Sequence, residues 1–343
     1  MTLKESLLWP LTLPYGAVTH LRARAYRTGI LRPRRLDGIV ISVGNLTVGG
    51  TGKTPMVLWI AERLLAEGKG VGILTQGYRA KSAPSGSEES STGCGWASDE
   101  VQLLKTRLGD RVSFGVGADR FRRGRGLAAQ GVKWFILDDG FQHLQLARDV
   151  DIVLIDATNP FGGGHLLPAG RLRESRTALE RADLVVTTRS GHAPALEAAV
   201  RRDSEAPIFY ARPRLDSIRA IHSESANKEE ERTPSQKVFA FCGVGNPHAF
   251  LSDLRDWGFQ VAGHRFFPDH HRYSQRDVDE IETEARAAGI RYVICTEKDV
   301  FNISGLRWHA SDVWYCRISL QVDREDSFWR SIIDIAESGS MHK

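Results

Sequence analysis

The 343-residue sequence has only four cysteines, Cys94, Cys242, Cys295 and Cys316, and no C-x-x-C pair among them. That scarcity excludes a disulfide framework and a zinc knuckle, and it fits a reducing compartment. Long hydrophobic runs are missing as well. No stretch approaches the roughly 18 uninterrupted apolar residues that span a bilayer. Nor is there an excess of one charge: the net value is +4, so whole-molecule electrostatics single out no partner, and no nucleic acid is expected. What is present, 41% hydrophobic and 26% charged residues, is the make-up of a soluble globular chain long enough for two domains.

Positive charge is concentrated rather than abundant. Arg22, Arg24, Arg27, Arg32, Arg34 and Arg35 crowd into the first tenth of the chain and point to an anionic surface nearby. They follow "SLLWPLTLPYGAV", which Pro10 and Pro14 interrupt and which has its arginines on the wrong side for a signal peptide. Leu3, Leu7, Leu8 and Leu11 share one helical face, as do Val18, Leu21 and Ala25, with arginines filling the other side. This pattern describes an interfacial helix on a membrane surface, or else a helix packed on the protein's own core with its arginines solvated.

Farther on, apolar β-branched runs alternate with helical patterns. "GIVISV", "GVGIL", "VKWFILDD", "DIVLID" and "DLVVTT" read as buried parallel strands, with "PMVLWIAERLLAEGKG" and "ESRTALERA" as helices between them. The expected fold is α/β: a mostly parallel sheet covered by helices, with a second, smaller α/β domain and the N-terminal interfacial helix. The polar stretch 82–95 reads as a loop ahead of a helix beginning near Ser98. The charged stretch 222–237 reads as a linker. The expected division is thus 1–35 as the N-terminal segment, 36–221 as the main domain, 222–237 as linker and 238–343 as the smaller domain.

"VGGTGKTP" carries the first chemistry. Gly49, Gly50 and Gly52 let successive backbone N–H groups turn inward around phosphate oxygens, where a Cβ would intrude. Lys53 offers a point charge to the β and γ phosphates, Thr54 a hydroxyl for magnesium, and the following helix its positive end. Pro55 suits the first helical turn. The first glycine of the usual G-x-x-x-x-G-K-[ST] pattern is replaced by Thr47, which is accommodated if Gly44 closes the strand and lengthens the loop. The nucleotide site is therefore assigned to Thr47, Val48, Gly49, Gly50, Thr51, Gly52, Lys53 and Thr54, and its fold to the P-loop NTPase type.

"WFILDDGFQH" has the form of a second magnesium motif, an apolar strand ending in acid. Asp138 and Asp139 are adjacent, so they cannot point the same way from one extended strand. One should face the metal and the other cap a turn or bind a second group.

Together, "GNLTVGGTGKTP", "DDGFQH", "LPAGRLRE" and "FPDHH" resemble the tetraacyldisaccharide 4'-kinase family, from about residue 40 to "TEKD" at 296–299. The resemblance implies a magnesium-dependent transfer of the ATP γ-phosphate to the 4'-hydroxyl of a tetraacylated glucosamine disaccharide 1-phosphate, giving lipid IVA. It also implies peripheral attachment to the cytoplasmic face of the inner membrane of Gram-negative bacteria. The "SDE" at 98–100 matches the family's acid pair, which makes Asp99 the expected base and Glu100 its neighbour near the substrate. His270 matches the histidine paired with that base. Read without the family, Asp99 is a helix N-terminal cap, and His270 with His271 is a metal site or a surface turn. By the linear division above, Asp99 and His270 would meet across an interdomain cleft. Arg171 and Arg173 face anionic ligands or form a salt bridge with Glu174. Arg120 is a candidate for the developing γ-phosphate charge, and His143 touches a ligand or closes its own turn. "FGGGHLLP" reads as a turn shaping the acceptor pocket.

Three departures matter. Ser98-Asp99-Glu100-Val101 stands where the family commonly has Gly-Asp-Glu-Pro, Gln76 stands where it commonly has arginine, leaving Arg79 as the nearby cation, and the loop before Asp99 is unusually serine-rich. Two rival classes are also weighed. A regulatory GTPase would share the loop, but "TEKD" places lysine one position late for [NT]-K-x-D, and "DDGF" is not D-x-x-G. A nucleotide-driven chaperone for metals would need clustered Cys or His ligands.

Overall fold

The computed structural model describes residues 3–77, 98–221 and 236–341. Arg79, Cys94, the loop at 82–95 and the linker through residue 235 lie outside the described residues, as do the side chains of Leu3 and Leu7. In chain order the first elements are α1 (Leu3–Arg27), β1 (Ile39–Asn45), α2 (Lys53–Ala66), β2 (Val71–Thr75), α3 (Asp99–Leu108) and β3 (Val112–Val116). There follow α4 (Arg120–Ala128), β4 (Trp134–Asp138), β5 (Val150–Asp156), β6 (Leu184–Thr188), α5 (Pro194–Arg201) and β7 (Ile208–Ala220). The remainder is β8 (Lys237–Cys242), α6 (Pro247–Asp256), β9 (Gln260–Phe266), α7 (Gln275–Ala287), β10 (Tyr292–Thr296), α8 (Glu297–Ile303), β11 (Asp312–Val322) and α9 (Glu325–Met341). The expected helix over "ESRTALERA" is instead a 3-10 turn at Arg176–Arg181.

Contacts divide the chain into two compact units. One gathers Met1–Tyr78, Arg107–Arg212 and Leu320–Lys343; the other gathers Arg79–Thr106 and Pro213–Ser319. This is not the expected succession of 36–221 and 238–343. Most of α3 belongs with the later strands, and α9 returns to the first unit, where Phe328 packs against Trp59 of α2 and Phe209 of β7 at 5.4 and 4.9 Å between ring centres.

In the first unit the strand order is β3-β2-β4-β1-β5-β6-β7, with parallel pairing throughout. Every residue of β5, "VDIVLID", is buried, as a β-branched strand covered on both faces must be. Met56, Val57, Ile60, Ala61 and Leu64 of α2 recur at three- and four-residue spacing and are all fully buried. The chain moves from β1 to β2 on one side and returns from β4 to β5 on the other. That reversal leaves a ligand crevice at the carboxyl end of β1. Gly44 lies within β1 rather than closing it. A Cβ there would sit 2.5 Å from the Phe141 Cβ and 2.6 Å from its backbone nitrogen, so the glycine allows the turn after β4 to press on the strand.

Helix α1 runs through Pro10 and Pro14 without a break. Leu8, Thr12, Tyr15, Gly16, Thr19, Ala23 and Tyr26 form a half-buried stripe along it, and the Tyr15 hydroxyl donates to the Arg173 carbonyl at 3.0 Å. The opposite face exposes Trp9, Leu11, Leu13, Val18 and Leu21. Part of the helix thus packs on its own unit and part does not. No described helix is long and apolar enough to cross a membrane.

The second unit orders its strands β11-β10-β8-β9, again in parallel. Reciprocal caps open two of its helices: Ser274 with Asp277 begins α7, and Thr296 with Asp299 begins α8.

Candidate active site

The phosphate loop links β1 to α2. Gly49 and Gly52 hold positive φ values of 123° and 90°, a region in which a side chain would be strained. Its first half is pinned by the "PAGRLRE" segment. Val48 N–H donates to the Arg171 carbonyl at 2.8 Å, and Arg173 N–H to the Leu46 carbonyl at 2.7 Å. The Arg171 guanidinium returns two hydrogen bonds to the Val48 carbonyl at 3.1 and 3.0 Å. On the other side the Thr188 hydroxyl donates to the Thr51 carbonyl at 3.0 Å. Among the described residues the buried Thr51 hydroxyl of this loop has no hydrogen-bond partner, a polar group that a bound phosphate would satisfy.

Lys53 begins α2. Its ammonium donates to the Asn45 side-chain oxygen at 3.2 Å and lies 3.4 Å from Asp139. The two acids at the end of β4 diverge. Asp138 is buried, in register with Val43, and accepts from the Thr75 hydroxyl at 3.1 Å. Asp139 turns at φ 51° and meets Arg173 at 2.8 and 2.7 Å. Burial works against its ionisation, but Lys53 and Arg173 outweigh it and hold the carboxyl at about 2. Thr54 is buried one residue beyond Lys53. Hydroxyl and carboxylate oxygens of this kind are the hard donors that suit magnesium.

The salt bridge considered between Glu174 and Arg171 or Arg173 is made instead by Arg181, at 3.0 Å. Arg171 serves the loop backbone and Arg173 serves Asp139. With Gln76 exposed at the end of β2, Lys53 and Arg173 are the cations that balance the acid after β4. Arg120 is buried, and its Nη1 lies 2.9 Å from His143 Nδ1. Burial and then the charge of Arg120 bring His143 down to about 4, so its ring is neutral near pH 7. Its Nδ1 then accepts from Arg120, leaving Nε2 as the N–H. The His143 backbone also closes its own turn, donating to the Gly140 carbonyl at 2.8 Å. In "FGGGHLLP", Gly162, Gly163 and Gly164 all take positive φ.

The second unit holds the other cluster. Asp99 is 8% exposed, and both its oxygens lie 2.8 Å from His270 Nδ1. This overturns the expected assembly of that pair across two domains: α3 and the 268–271 turn belong to one unit. Asp99 is not the cap of α3 either. The Ser98 hydroxyl accepts from Val101 N–H at 3.4 Å, while Asp99 accepts from Glu100 N–H at 3.0 Å. Val101, in place of the family's proline, is fully buried. His270 sits in the left-handed region at φ 60°, and its pKa is raised, first by the hydrogen bond to Asp99. His271 points elsewhere, 3.3 Å from Asp277 and stacked on Phe267. The two histidines therefore share no ligand, and among the described residues no His, Cys, Asp and Glu cluster could hold a metal ion. The residue missed in the sequence is Lys298, whose ammonium meets Glu100 at 2.6 Å. No local pattern pairs it with Glu100, 198 positions away in the sequence.

A doubly wound parallel sheet, a glycine loop feeding a helix N-terminus and acids at the neighbouring strand end define a P-loop phosphotransferase. The family model for Tetraacyldisaccharide-1-P 4'-kinase matches residues 4–337. A tetraacyldisaccharide 4'-kinase of Anaeromyxobacter sp. (strain Fw109-5) is 39% identical over 335 residues, covering 92% of this chain and 88% of the relative. One of Geobacter metallireducens is 39% identical over 319 residues, covering 87% and 88%. The crystal structure of LpxK from Aquifex aeolicus in complex with ATP superposes with a TM-score of 0.72 at 29% identity, covering 97% of this chain and 99% of that one. The chain belongs to the tetraacyldisaccharide 4'-kinase family, and as a member it is a kinase of lipid A biosynthesis. Neither the regulatory GTPase nor the nucleotide-driven chaperone is favoured.

Proposed function

We propose that this chain transfers the γ-phosphate of ATP to the 4'-hydroxyl of a tetraacylated glucosamine disaccharide 1-phosphate. The observation that supports it best is the pairing, in one chain, of a phosphate loop with a buried carboxylate bonded through both oxygens to an imidazole. A hydrolytic switch has no need of that base; an alcohol acceptor does.

In this reading, Gly49 to Gly52 wrap the phosphates and Lys53 swings from Asn45 and Asp139 to the β and γ oxygens. Thr54 and Asp138 would hold a magnesium ion, which would supply further positive charge beside the phosphates; Asp139 orients Lys53. Asp99 takes the proton of the 4'-hydroxyl as that oxygen bonds to the γ-phosphorus and the bond to the β-phosphate oxygen breaks, releasing ADP. His270 Nδ1–H orients the carboxylate. Arg120, with neutral His143, offers donors to anionic oxygens of nucleotide or lipid. The exposed face of α1, with Trp9, Leu11, Leu13, Val18 and Leu21 beside Arg22 and Arg24, suits the headgroup region of an anionic bilayer. This would place the enzyme peripherally on the cytoplasmic face of the inner membrane.

The test is incubation of the purified protein with labelled ATP, magnesium and the tetraacylated disaccharide monophosphate. A labelled bisphosphate lipid is expected. Release of labelled inorganic phosphate without lipid product would sink the proposal.

A further inference from the structure

The segment "TEKD", Thr296–Asp299, lies outside the phosphate loop, yet Lys298 and Asp299 bond to the neighbours of the Asp99–His270 pair. Lys298 extends from the first turn of α8 to Glu100, with Nζ 2.6 Å from Oε1 and side chains only 25% and 27% exposed. Glu100 is joined to Asp99 both by sequence and by its N–H, which donates to Asp99 Oδ1 at 3.0 Å. The lysine thus fastens the turn of α3 that presents Asp99.

The root of that lysine is itself fixed. Asp299 is 2% exposed and accepts four hydrogen bonds. Two come from Thr296, its N–H at 3.2 Å and its hydroxyl at 2.6 Å. The others come from the Tyr273 hydroxyl at 2.7 Å and Gly243 N–H at 2.8 Å. Gly243 in turn accepts from His270 N–H at 3.0 Å. A Cβ at Gly243 would meet the Pro268 carbonyl oxygen at 3.1 Å, so the strand end and the His270 turn are in close backbone contact. One buried carboxylate therefore anchors both the helix that carries Lys298 and the turn that carries His270.

We propose that Lys298 is a positioning residue for phosphoryl transfer: through Glu100 it fixes the first turn of α3, and its charge acts on the Asp99–His270 pair. The inference rests on that pair being the base, as proposed above. Lys298 itself touches no reacting atom.

The sign of the electrostatic effect follows from the groups around the imidazole. The hydrogen bond to Asp99 raises the His270 pKa most, burial opposes it, the charges of Asp99 and Asp269 raise it further, and Lys298 lowers it. Lys298 stays charged: burial would lower its pKa, but Glu100 and Asp99 push it up instead. A protonated His270 binds the Asp99 oxygens more strongly and leaves them poorer acceptors for the hydroxyl proton. Removing the ammonium therefore keeps His270 protonated to higher pH.

The test uses full-length Lys298→Met and Lys298→Arg, with kcat and KM for ATP measured across pH. In Lys298→Met the acid limb of kcat should move to higher pH, with KM for ATP unchanged and activity recovering at alkaline pH. Lys298→Arg should restore the wild-type limb. Should Lys298→Met be insoluble, Lys298→Gln carries the same readout. A profile lowered equally at every pH, or an arginine variant no better than methionine, overturns the inference. Asp99→Ala separates the two layers. If it stays active, the base assignment falls and this inference with it; if it is inactive while Lys298→Met leaves the limb unmoved, the inference falls alone.

Discussion

Asp99 presents both oxygens to a single ring nitrogen, 2.8 Å away in each case, a geometry that leaves the carboxylate oriented and ready to accept a proton. Truncating it to alanine removes the acceptor and leaves the phosphate loop, which lies in the other unit, with all its contacts. Asp99→Ala should therefore keep ATP affinity nearly intact while cutting lipid phosphorylation by a factor of about 10² to 10⁴. Isothermal titration with a non-hydrolysable ATP analogue and a radiolabel transfer assay check the two halves. A loss of turnover below tenfold would place the base elsewhere. At this scale the sequence was legible wherever chemistry is written locally. The loop, Lys53, Thr54 and the Asp138/Asp139 divergence all follow from neighbours within a few positions. Lys298 did not, because its partner Glu100 lies 198 positions away and nothing near either residue announces the other. The distribution of the arginines was equally hidden. Arg171, Arg173 and Arg181 are a few positions apart, and only the fold decides which meets a carbonyl, which meets Asp139 and which meets Glu174.

Among the elements, buried strands were read well and amphipathic ones less so. "GIVISV" and "DIVLID" are covered on both faces, so their apolar runs are unbroken. "ESRTALERA" has a helical pattern over too few residues to fix an α-helix, and its carbonyls are taken up in a 3-10 turn after Ser175. Helix α1 satisfies both readings of its pattern: a half-buried stripe packs on its own unit while Leu11, Val18 and Leu21 stand at 57%, 64% and 63% exposure. Those three make no demand on the fold, so replacing them tests the surface rather than stability. Leu11→Glu, Val18→Glu and Leu21→Glu together should leave the thermal midpoint within a few degrees and reduce co-sedimentation with vesicles containing anionic lipid several-fold. Unchanged co-sedimentation would remove the membrane-facing role of this helix.

At the scale of the whole molecule the chain does not fold as beads in order. The first unit is completed by the last residues of the sequence: α9 places Phe328 fully buried against α2 and β7, and Trp329 donates to Glu67, 262 positions earlier. Periodicity cannot reveal this, because a helix pattern names a buried face without naming what buries it, and charge and composition put the boundary at 222–237 instead. The consequence is specific. A truncated chain ending at residue 319, which a linear division would treat as a trimmed second domain, should damage the first unit. Phe328→Ala tests the same point more gently. Removing a fully buried ring leaves a cavity between Trp59 and Phe209, at a cost of about 3–5 kcal/mol, so chemical denaturation should show a lower midpoint for this variant. ATP should recover part of the loss, since ligand binding to the native state offsets destabilisation of the unit that holds the phosphate loop. If the variant unfolded at the wild-type midpoint, or if the chain ending at residue 319 bound ATP with wild-type affinity, α9 would be an appendage and the first unit would close without it.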